Sequence, residues 1–373
     1  MSIDYASFYS LQAQQEYKDF RIFHDFYESL AEKKDIYYMF FSTGLLQWVR
    51  KALQFIPPDM NVVLIGAGLV PAEKEWVSSQ ARRPAVYLER SYTDHTIWDF
   101  LFRVNRTHFG WIDIDCFVFN PEVLTDLTRV GDAVLSAAWT YRIDSEAIDK
   151  RGHKLQPEIA NTYLLYVNME AVNALRQHTD ISPRPYLLSR SNEAVMHSRH
   201  RSLLDKSHEQ LLQNLFQLPS FPPDIEPYPV ESAIHSGVET RFIDTLVLFQ
   251  LLAYYEGYRI QKLPVNRKDN RAVYHFGGAS YYKNYIDPRY SFVSEGKHVQ
   301  TAKYERALLM DYLLVSQGED LPPPYQGMKR MLHAYLQHAA IKAAEAEAKL
   351  TDILRRSRLG EKEIELLLTA NKR

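Results

Sequence analysis

Four short apolar runs, separated by stretches with helical periodicity, constrain the fold of this chain more than any other feature. The runs cover residues 36–41, 62–65, 85–88 and 109–112. Continuous apolar runs of this length are typical of strands that are buried on both faces. The alternation of strand and helix predicts a parallel sheet with helices on both faces. In such sheets, ligands bind at the edge where the strands end.

The fourth run leads directly into two aspartates, Asp113 and Asp115. Residues two apart share a face of a strand, so both carboxylates can reach one cation. Because an unpaired carboxylate is costly in a buried sheet, a divalent metal is the simplest partner. Mg2+ and Mn2+ bind carboxylate oxygens and keep positions open for phosphate oxygens. The alternative is that both aspartates are solvated, or that they cap the helix that follows Pro121.

The sequence around this pair resembles the Asp-x-Asp segment of the GT-A nucleotide-sugar glycosyltransferases. An aromatic residue and Gly-Trp-Ile-Asp-Ile-Asp end at Asp115, and Phe-Val-Phe-Asn-Pro-Glu-Val-Leu covers residues 117–124. The resemblance implies an α/β fold, with a GT-A-like, Rossmann-type mixed sheet flanked by helices over residues 35–290. It also implies a transferase that moves a sugar from a nucleoside-diphosphate sugar, a UDP-sugar, to an unknown acceptor hydroxyl, with Mn2+ or Mg2+ as cofactor.

The resemblance assigns roles to individual residues. His275 leaves a short strand into two glycines, as does the late histidine that binds the metal in several GT-A families. Asp115 and His275 are then metal ligands, and Asp113 binds the metal, directly or through water, or holds the ribose. Ser42 and Thr43 are expected near the base and ribose. Asp99 and Arg103 are expected near the nucleotide or the pyrophosphate.

Asp244 is the candidate catalytic residue. It opens a largely apolar helix that stops near Gly257, and a carboxylate heads a similar helix in many glycosyltransferases. In an inverting enzyme Asp244 would be the general base, and in a retaining enzyme it would position the acceptor or stabilise the sugar cation. Helix capping explains the same residue equally well. The end of this helix resembles inverting families, whereas the sequence after His275 resembles retaining ones, so the stereochemistry stays open.

Proline-rich residues 321–324 mark the clearest domain boundary. The predicted organisation is a glycosyltransferase-like domain at 1–320 and a C-terminal helical extension at 321–373. The larger domain is divided into an N-terminal helical cover (1–34), a nucleotide-binding half (35–130) and an acceptor-side half (131–320). The alanine-rich residues 339–349 predict a strong helix in the extension. Such helices pack on their own domain or on a sister subunit, so a homo-oligomer is one expectation.

The charge, the cysteine content and the apolar stretches of the chain indicate its binding partners and its compartment. The net charge of −2 gives no overall field that would attract nucleic acid. The single cysteine, Cys116, fits a reducing compartment. The N-terminus shows no signal peptide, and the longest apolar stretch, 245–255, is too short to span a bilayer. These features predict a cytoplasmic protein without a transmembrane segment.

Two other function classes match part of the pattern. Metal-dependent phosphohydrolases of the haloacid-dehalogenase type also use Asp-x-Asp, but there it normally lies on the first strand of the catalytic domain and is followed by Thr or Val. Here three strands precede it and Cys116 and Phe117 follow it. A non-catalytic assembly protein would use the C-terminal helices alone. The segment 177–206 is rich in His and Arg without metal-ligand spacing, so it is a solvated loop or an acceptor-facing flap. Gly66 and Gly68 lack the third glycine of a dinucleotide fingerprint.

Overall fold

The computed structural model describes residues 5–92, 94–142, 148–178, 182–184, 186–189, 194–195, 240–243, 245–264, 271–279 and 301–369. The strands are β1 (Ile36–Ser42), β2 (Val62–Ala67), β3 (Ala85–Leu88), β4 (Phe109–Ile112), β5 (Cys116–Val118), β6 (Leu135–Ala137), β7 (Thr140–Arg142), β8 (Glu158–Ala160), β9 (Leu164–Val167), β10 (Tyr186–Ser189), β11 (Ala194–Val195), β12 (Thr240–Ile243), β13 (Ile260–Lys262) and β14 (Val273–His275). The helices are α1 (Tyr5–Ser29), α2 (Leu46–Ala52), α3 (Pro71–Trp76), α4 (Asp94–Val104), α5 (Glu122–Leu127), α6 (Met169–His178), α7 (Val247–Tyr255), α8 (Thr301–Ser316), α9 (Pro324–His338), α10 (Ala346–Arg356) and α11 (Glu361–Leu368). Among these helices, none has the length and apolar character that a membrane crossing requires.

Seven strands form one mixed sheet in the order β13-β6-β9-β4-β1-β2-β3. The four strands predicted from the apolar runs are parallel to one another, since β1 pairs with β2 and β4, and β2 pairs with β3. β9 runs antiparallel between β4 and β6. The predicted α/β fold with a mixed sheet flanked by helices is therefore confirmed. The parallel strands place the ends of β1, β2 and β4 at one edge of the sheet.

Each face of the sheet carries its own apolar core, because alternate residues of a strand point to opposite faces. From β1, Tyr37 and Met39 face one core, and Ile36 and Tyr38 face the other. Helices α1, α4, α6 and α7 cover the second core. Helices α2, α3 and α5 cover the first, together with α8 to α11. The C-terminal helices are thus part of the packing of this sheet.

Gly110 of β4 shows how tightly these strands pack. A Cβ atom at this position would lie 2.2 Å from the ring of Tyr37 on the neighbouring β1. That distance is far below van der Waals contact, so only glycine lets the Tyr37 ring lie across β4. The Tyr37 hydroxyl then donates a hydrogen bond to the carbonyl of Leu124, 2.6 Å away.

The predicted domain boundary at residue 321 falls between α8 and α9, which pack against each other. The helix predicted through residues 339–349 is wrong in its extent, because α9 ends at His338 and α10 begins at Ala346. Ala340 adopts a positive φ of 55°, and the amide of Ile341 donates to the carbonyl of Leu336 at 2.8 Å. This closes the end of α9 and buries Ile341 in the core. A homo-oligomer through these helices stays a prediction.

Candidate metal and donor site

The predicted acidic pair lies in a tight turn at the end of β4. The amide of Cys116 donates to the carbonyl of Asp113 at 3.0 Å, and β5 starts at Cys116. The amide of Asp113 donates to the carbonyl of Tyr163 at 2.9 Å. Both aspartates are therefore held by backbone bonds at the edge where the parallel strands end.

Strand pairing brings His275 to this turn from a distant part of the chain. β14 runs antiparallel to β5, with His275 opposite Cys116. Beyond β14, the amide of Phe276 donates to the carbonyl of Asp115 at 2.8 Å, and the amide of Ala279 donates to Asp115 Oδ2 at 3.1 Å. The glycines between them, Gly277 and Gly278, both have positive φ, which glycine adopts without strain. The turn after His275 thus wraps around the Asp115 carboxylate.

The three residues predicted as metal ligands meet in one cluster. His275 Nε2 lies 3.3 Å from Asp115 Oδ1 and 3.8 Å from Asp113 Oδ2. One ligand atom from each residue lies within 4.8 Å of the others. The side chain of Asp115 is 8% exposed, that of His275 27% and that of Asp113 31%. The cluster is therefore closed behind Asp115 and open to solvent on the side of the other two.

The pKa values of the two carboxyl groups are shifted in opposite directions because their surroundings differ. Burial raises the pKa of Asp113 to about 7, and the charge of Asp115 adds to the rise. Burial would also raise the pKa of Asp115, but the charge and hydrogen bond of His275 outweigh it, so this pKa is lowered. Two carboxylates this close ionise together only at a cost, which a divalent cation removes. The donor set of two carboxylates and one imidazole fits Mn2+ or Mg2+.

Two further residues, Trp111 and Tyr163, contact this cluster and a third, Asp94, acts on it by its charge; none was assigned a role from the sequence. The indole N–H of Trp111 donates to Asp113 Oδ1 at 2.6 Å. The ring of Tyr163 stacks on that of His275, with centroids 3.9 Å apart and planes 12° apart. Asp94, at the start of α4, is close enough to raise the pKa of Asp113 by its charge. Strand periodicity would have found Trp111, which shares a face with Asp113.

Asn161 fixes the stacked tyrosine. Its side-chain amide donates to the hydroxyl of Tyr163 at 2.9 Å. Asn161 thus anchors the ring that packs on the imidazole of His275. Tyr163 therefore sets the orientation of His275 through its ring, and that of Asp113 through its carbonyl.

Ser42 and Thr43 lie at the end of β1, the strand that pairs with β4, and their contact with a nucleotide stays a prediction. The Thr43 hydroxyl donates to Glu73 Oε2 at 2.7 Å. Glu73 also accepts from the amides of Gly44 at 2.7 Å and Val70 at 3.1 Å. The loop after β1 is thus tied to the start of α3 by the buried carboxylate of Glu73, for which no role was predicted from the sequence.

Asp99 and Arg103 have different partners from those expected. Asp99 pairs with Arg184 at 2.9 Å and with Arg103 at 3.6 Å. The guanidinium of Arg103 lies 3.9 Å from the ring centroid of Phe20, and Arg184 also pairs with Glu16. Within the described part of the chain, these contacts join α4 to α1 and to residues 182–184 rather than to the acidic pair. Their role in donor binding stays a prediction.

The candidate catalytic residue, Asp244, lies outside the described residues. The helix that it was predicted to open is present as α7, and Gly257 follows it with a φ of 92°. Most of the His/Arg-rich segment 177–206 also lies outside the described residues.

Comparison with known proteins supports the resemblance read from the acidic segment. Residues 13–172 match the family model of the StrH glycosyltransferase N-terminal domain. A 97-residue segment is 33% identical to dTDP-dihydrostreptose–streptidine-6-phosphate dihydrostreptosyltransferase of Streptomyces griseus. That match covers 26% of this chain and 25% of the relative, so the chain spans about a quarter of that protein in the match. The predicted glycosyltransferase resemblance is confirmed for residues 13–172, which include Asp113 and Asp115 but not His275.

Solved glycosyltransferases are among the similar structures. GlyE of Streptococcus pneumoniae has a TM-score of 0.27 at 13% identity, covering 50% of this chain and 43% of its own. The galactosyltransferase LgtC, solved with donor and acceptor sugar analogs, has a TM-score of 0.28 at 14% identity, covering 48% of this chain and 70% of its own.

Proposed function

We propose that this protein transfers a sugar from a nucleoside-diphosphate sugar to an acceptor hydroxyl, with a divalent metal held by Asp113, Asp115 and His275. The observation that carries the proposal is the convergence of these three side chains within 4.8 Å. They meet at the ligand-binding edge of the sheet, next to residues that match a glycosyltransferase family model.

The three residues would have different roles in binding the metal. Asp115 and His275 would be direct ligands. The amide of Ala279 holds the Asp115 carboxylate, and the ring of Tyr163 stacks on the imidazole of His275. Asp113 is the more exposed carboxylate, so it binds on the open side, or holds the ribose. When bound there, Mn2+ or Mg2+ acts as a Lewis acid that stabilises the negative charge on the departing nucleoside diphosphate.

The acceptor side of the proposal rests on Asp244. In an inverting reaction its carboxylate would remove the proton of the acceptor hydroxyl as the new glycosidic bond forms. In a retaining reaction it would position the acceptor instead. The stereochemistry of the product distinguishes these two roles.

For the donor, we propose a pyrimidine nucleotide. The resemblance of the acidic segment suggests a UDP-sugar, and the name of the Streptomyces griseus relative describes transfer from a dTDP-sugar. UDP and dTDP share the diphosphate that the metal would bind and a base of similar size. They differ at the 2′-hydroxyl and the 5-methyl group, so both must be tested.

A donor screen tests this proposal. The purified protein is incubated with panels of UDP-sugars and dTDP-sugars, with Mn2+, with Mg2+ or with a chelator, and released nucleotide is measured. We expect release from at least one donor, dependent on the metal. No release from either panel, or release that persists with the chelator, would contradict the proposal.

A further inference from the structure

The loop that follows β1 is held by buried polar groups on one side. Residues 43–46, here called the β1 loop, continue from Ser42 at the same sheet edge as Asp113. On the side of α3, Glu73 accepts hydrogen bonds from the Thr43 hydroxyl and the Gly44 amide, both at 2.7 Å. Glu73 is 1% exposed, so these bonds are shielded from water.

A tyrosine from the C-terminal helices completes the cage around this carboxylate. The hydroxyl of Tyr325, near the start of α9, donates to Glu73 Oε1 at 2.8 Å. It also accepts from the amide of Leu46 at 3.0 Å. One hydroxyl therefore joins the two sides of the β1 loop, using its single donor and one acceptor site. The ring of Tyr325 is buried in the core.

Helix α8 holds the same loop through a second buried carboxylate. Asp311 accepts from the side-chain amide of Gln47 at 2.7 Å and from the indole N–H of Trp48 at 2.5 Å. Gln47 also donates to the carbonyl of Gly44 at 3.2 Å. The loop and the first turn of α2 are thus fixed to α8 as well as to α9.

The same helix reaches the other side of the site. The guanidinium of Arg306 donates to the carbonyl of Phe276 and to the hydroxyl of Tyr274, the latter at 3.2 Å. These two residues flank His275. Helices α8 and α9 therefore hold both the β1 loop and the turn that carries the candidate metal ligand.

We propose that α8 and α9 are a working part of the donor site, and that Tyr325 is a positioning residue that fixes the β1 loop for the nucleoside of the donor. This inference rests on the proposed function. A loop that is ordered before binding loses less conformational entropy when the ligand arrives, so its hydrogen bonds contribute to affinity. Tyr325 acts through Glu73 and Leu46 and does not touch the donor.

Tyr325→Phe tests the inference, because it keeps the ring in the core and removes only the hydroxyl. The probes are UDP and dTDP, each titrated calorimetrically in the presence of Mn2+, and Mn2+ alone. We expect the nucleotide Kd to rise about tenfold, whereas the Kd for Mn2+ alone stays within about twofold. The matched control is Tyr38→Phe, which removes a buried hydroxyl bonded to Asn105 at 2.8 Å on the opposite face of the sheet. It should lower the Tm and leave nucleotide binding unchanged.

The outcomes separate a positioning role from a purely structural one. An unchanged nucleotide Kd in Tyr325→Phe, or equal weakening in both tyrosine variants, would overturn the inference. If Tyr325→Phe does not fold, Gln47→Leu replaces it and should weaken nucleotide binding about threefold by freeing Gly44, so an unchanged Kd there overturns the inference too. Failure of the wild-type protein to bind either nucleotide would overturn the proposed function itself, and this inference with it.

Discussion

Two acidic sites lie at the same edge of the sheet and satisfy their carboxylates in different ways. At the first, each oxygen of Glu73 accepts two hydrogen bonds, from the Thr43 hydroxyl and the Val70 amide, and from the Gly44 amide and the Tyr325 hydroxyl. At the second, Asp113 and Asp115 face each other and share one imidazole. The pKa of Asp113 is raised to about 7 there.

The difference indicates what each site is for. Four protein donors around one buried carboxylate compensate its charge without any ligand, which is typical of a structural carboxylate. Two carboxylates that raise each other's cost of ionisation are typical of a cation site. Glu73 is therefore a structural carboxylate, whereas the acidic pair keeps the features of a candidate cation site.

Asp115→Asn should have the strongest consequence for activity. The amide keeps the shape of the carboxylate and an oxygen for the Ala279 N–H, but it removes the most buried negative charge of the candidate metal site. We expect metal-dependent sugar transfer to fall about a thousandfold, since the metal supplies several kcal/mol of charge stabilisation. Released nucleotide at saturating donor is the measurement, with circular dichroism to confirm the fold.

The control for this variant is Asp126→Asn, which alters an exposed aspartate that pairs with Arg129 on the surface. It should transfer sugar at the wild-type rate. Wild-type turnover in Asp115→Asn would show that Asp115 is not a metal ligand, and the acidic pair would no longer be a candidate cation site.

The next effect is on the pH dependence of metal binding. Because the pKa of Asp113 is about 7, Mn2+ must displace a proton from this carboxyl at lower pH. We expect the apparent Kd for Mn2+ to fall about tenfold per unit from pH 5 to 7 and to level off above. Titration calorimetry across this range measures the slope. In Asp113→Asn, the slope of log Kd for Mn2+ against pH should fall by one, because one proton fewer is displaced. A Kd that does not change with pH in the wild-type protein would show that Mn2+ displaces no proton from the acidic pair.

A smaller effect is expected from Glu73→Gln, which tests whether the Glu73 carboxylate is structural. Glutamine has one side-chain oxygen that can accept hydrogen bonds. Its NH2 group would face two of the four donors that Glu73 accepts from, and it cannot accept from them. The free energy of unfolding should fall by about 1–3 kcal/mol, as for other buried groups left without partners. Denaturant unfolding gives this value, and the Kd for Mn2+ alone should not change. If Glu73→Gln lowered both the stability and the affinity for Mn2+, Glu73 would be part of the candidate metal site and not only of the framework.

The sequence predicted the parallel half of the sheet well, because its strands are buried on both faces. Such strands read as continuous apolar runs, and β3 matches the predicted residues 85–88. The acidic pair was predicted from its spacing, because two carboxylates one residue apart at a strand end can reach one cation. In the structure they lie in the turn after β4 and not on a strand face. His275 was predicted only through the family resemblance, since the pairing of β14 with β5 cannot be read from either segment alone.

The Glu73 site could not be predicted, because its partners are distant in sequence. Tyr325 and Leu46 are 279 residues apart, and a glutamate early in a helix is normally a solvated residue. The turn between α9 and α10 was also not predicted, because burial in the core outweighs the local helix propensity there. Alanine-rich residues 339–349 favour a helix locally, but burying Ile341 contributes about 1.5–3 kcal/mol, which exceeds the helix propensity of the few residues in the turn.

The smallest predicted effect is that of Asp113→Asn on the stability of the metal-free protein. It tests directly whether the charge of the acidic pair is uncompensated in the absence of a cation. The pKa of Asp113 is raised in the folded protein from 3.8 to about 7, so its stabilising contribution is present below pH 4 and is lost as the pH rises through 7. Asparagine cannot ionise, so the metal-free variant should be more stable than the wild type at pH 8, by about 1 kcal/mol after screening by solvent, and equal to it near pH 4.

Excess Mn2+ should reverse the sign at pH 8, because only the wild type gains the full stabilisation from binding the ion. Thermal unfolding at both pH values, with and without Mn2+, measures all four differences. A variant that is less stable than the wild type at pH 8 without metal would place Asp113 with Glu73, as a carboxylate that the protein itself satisfies.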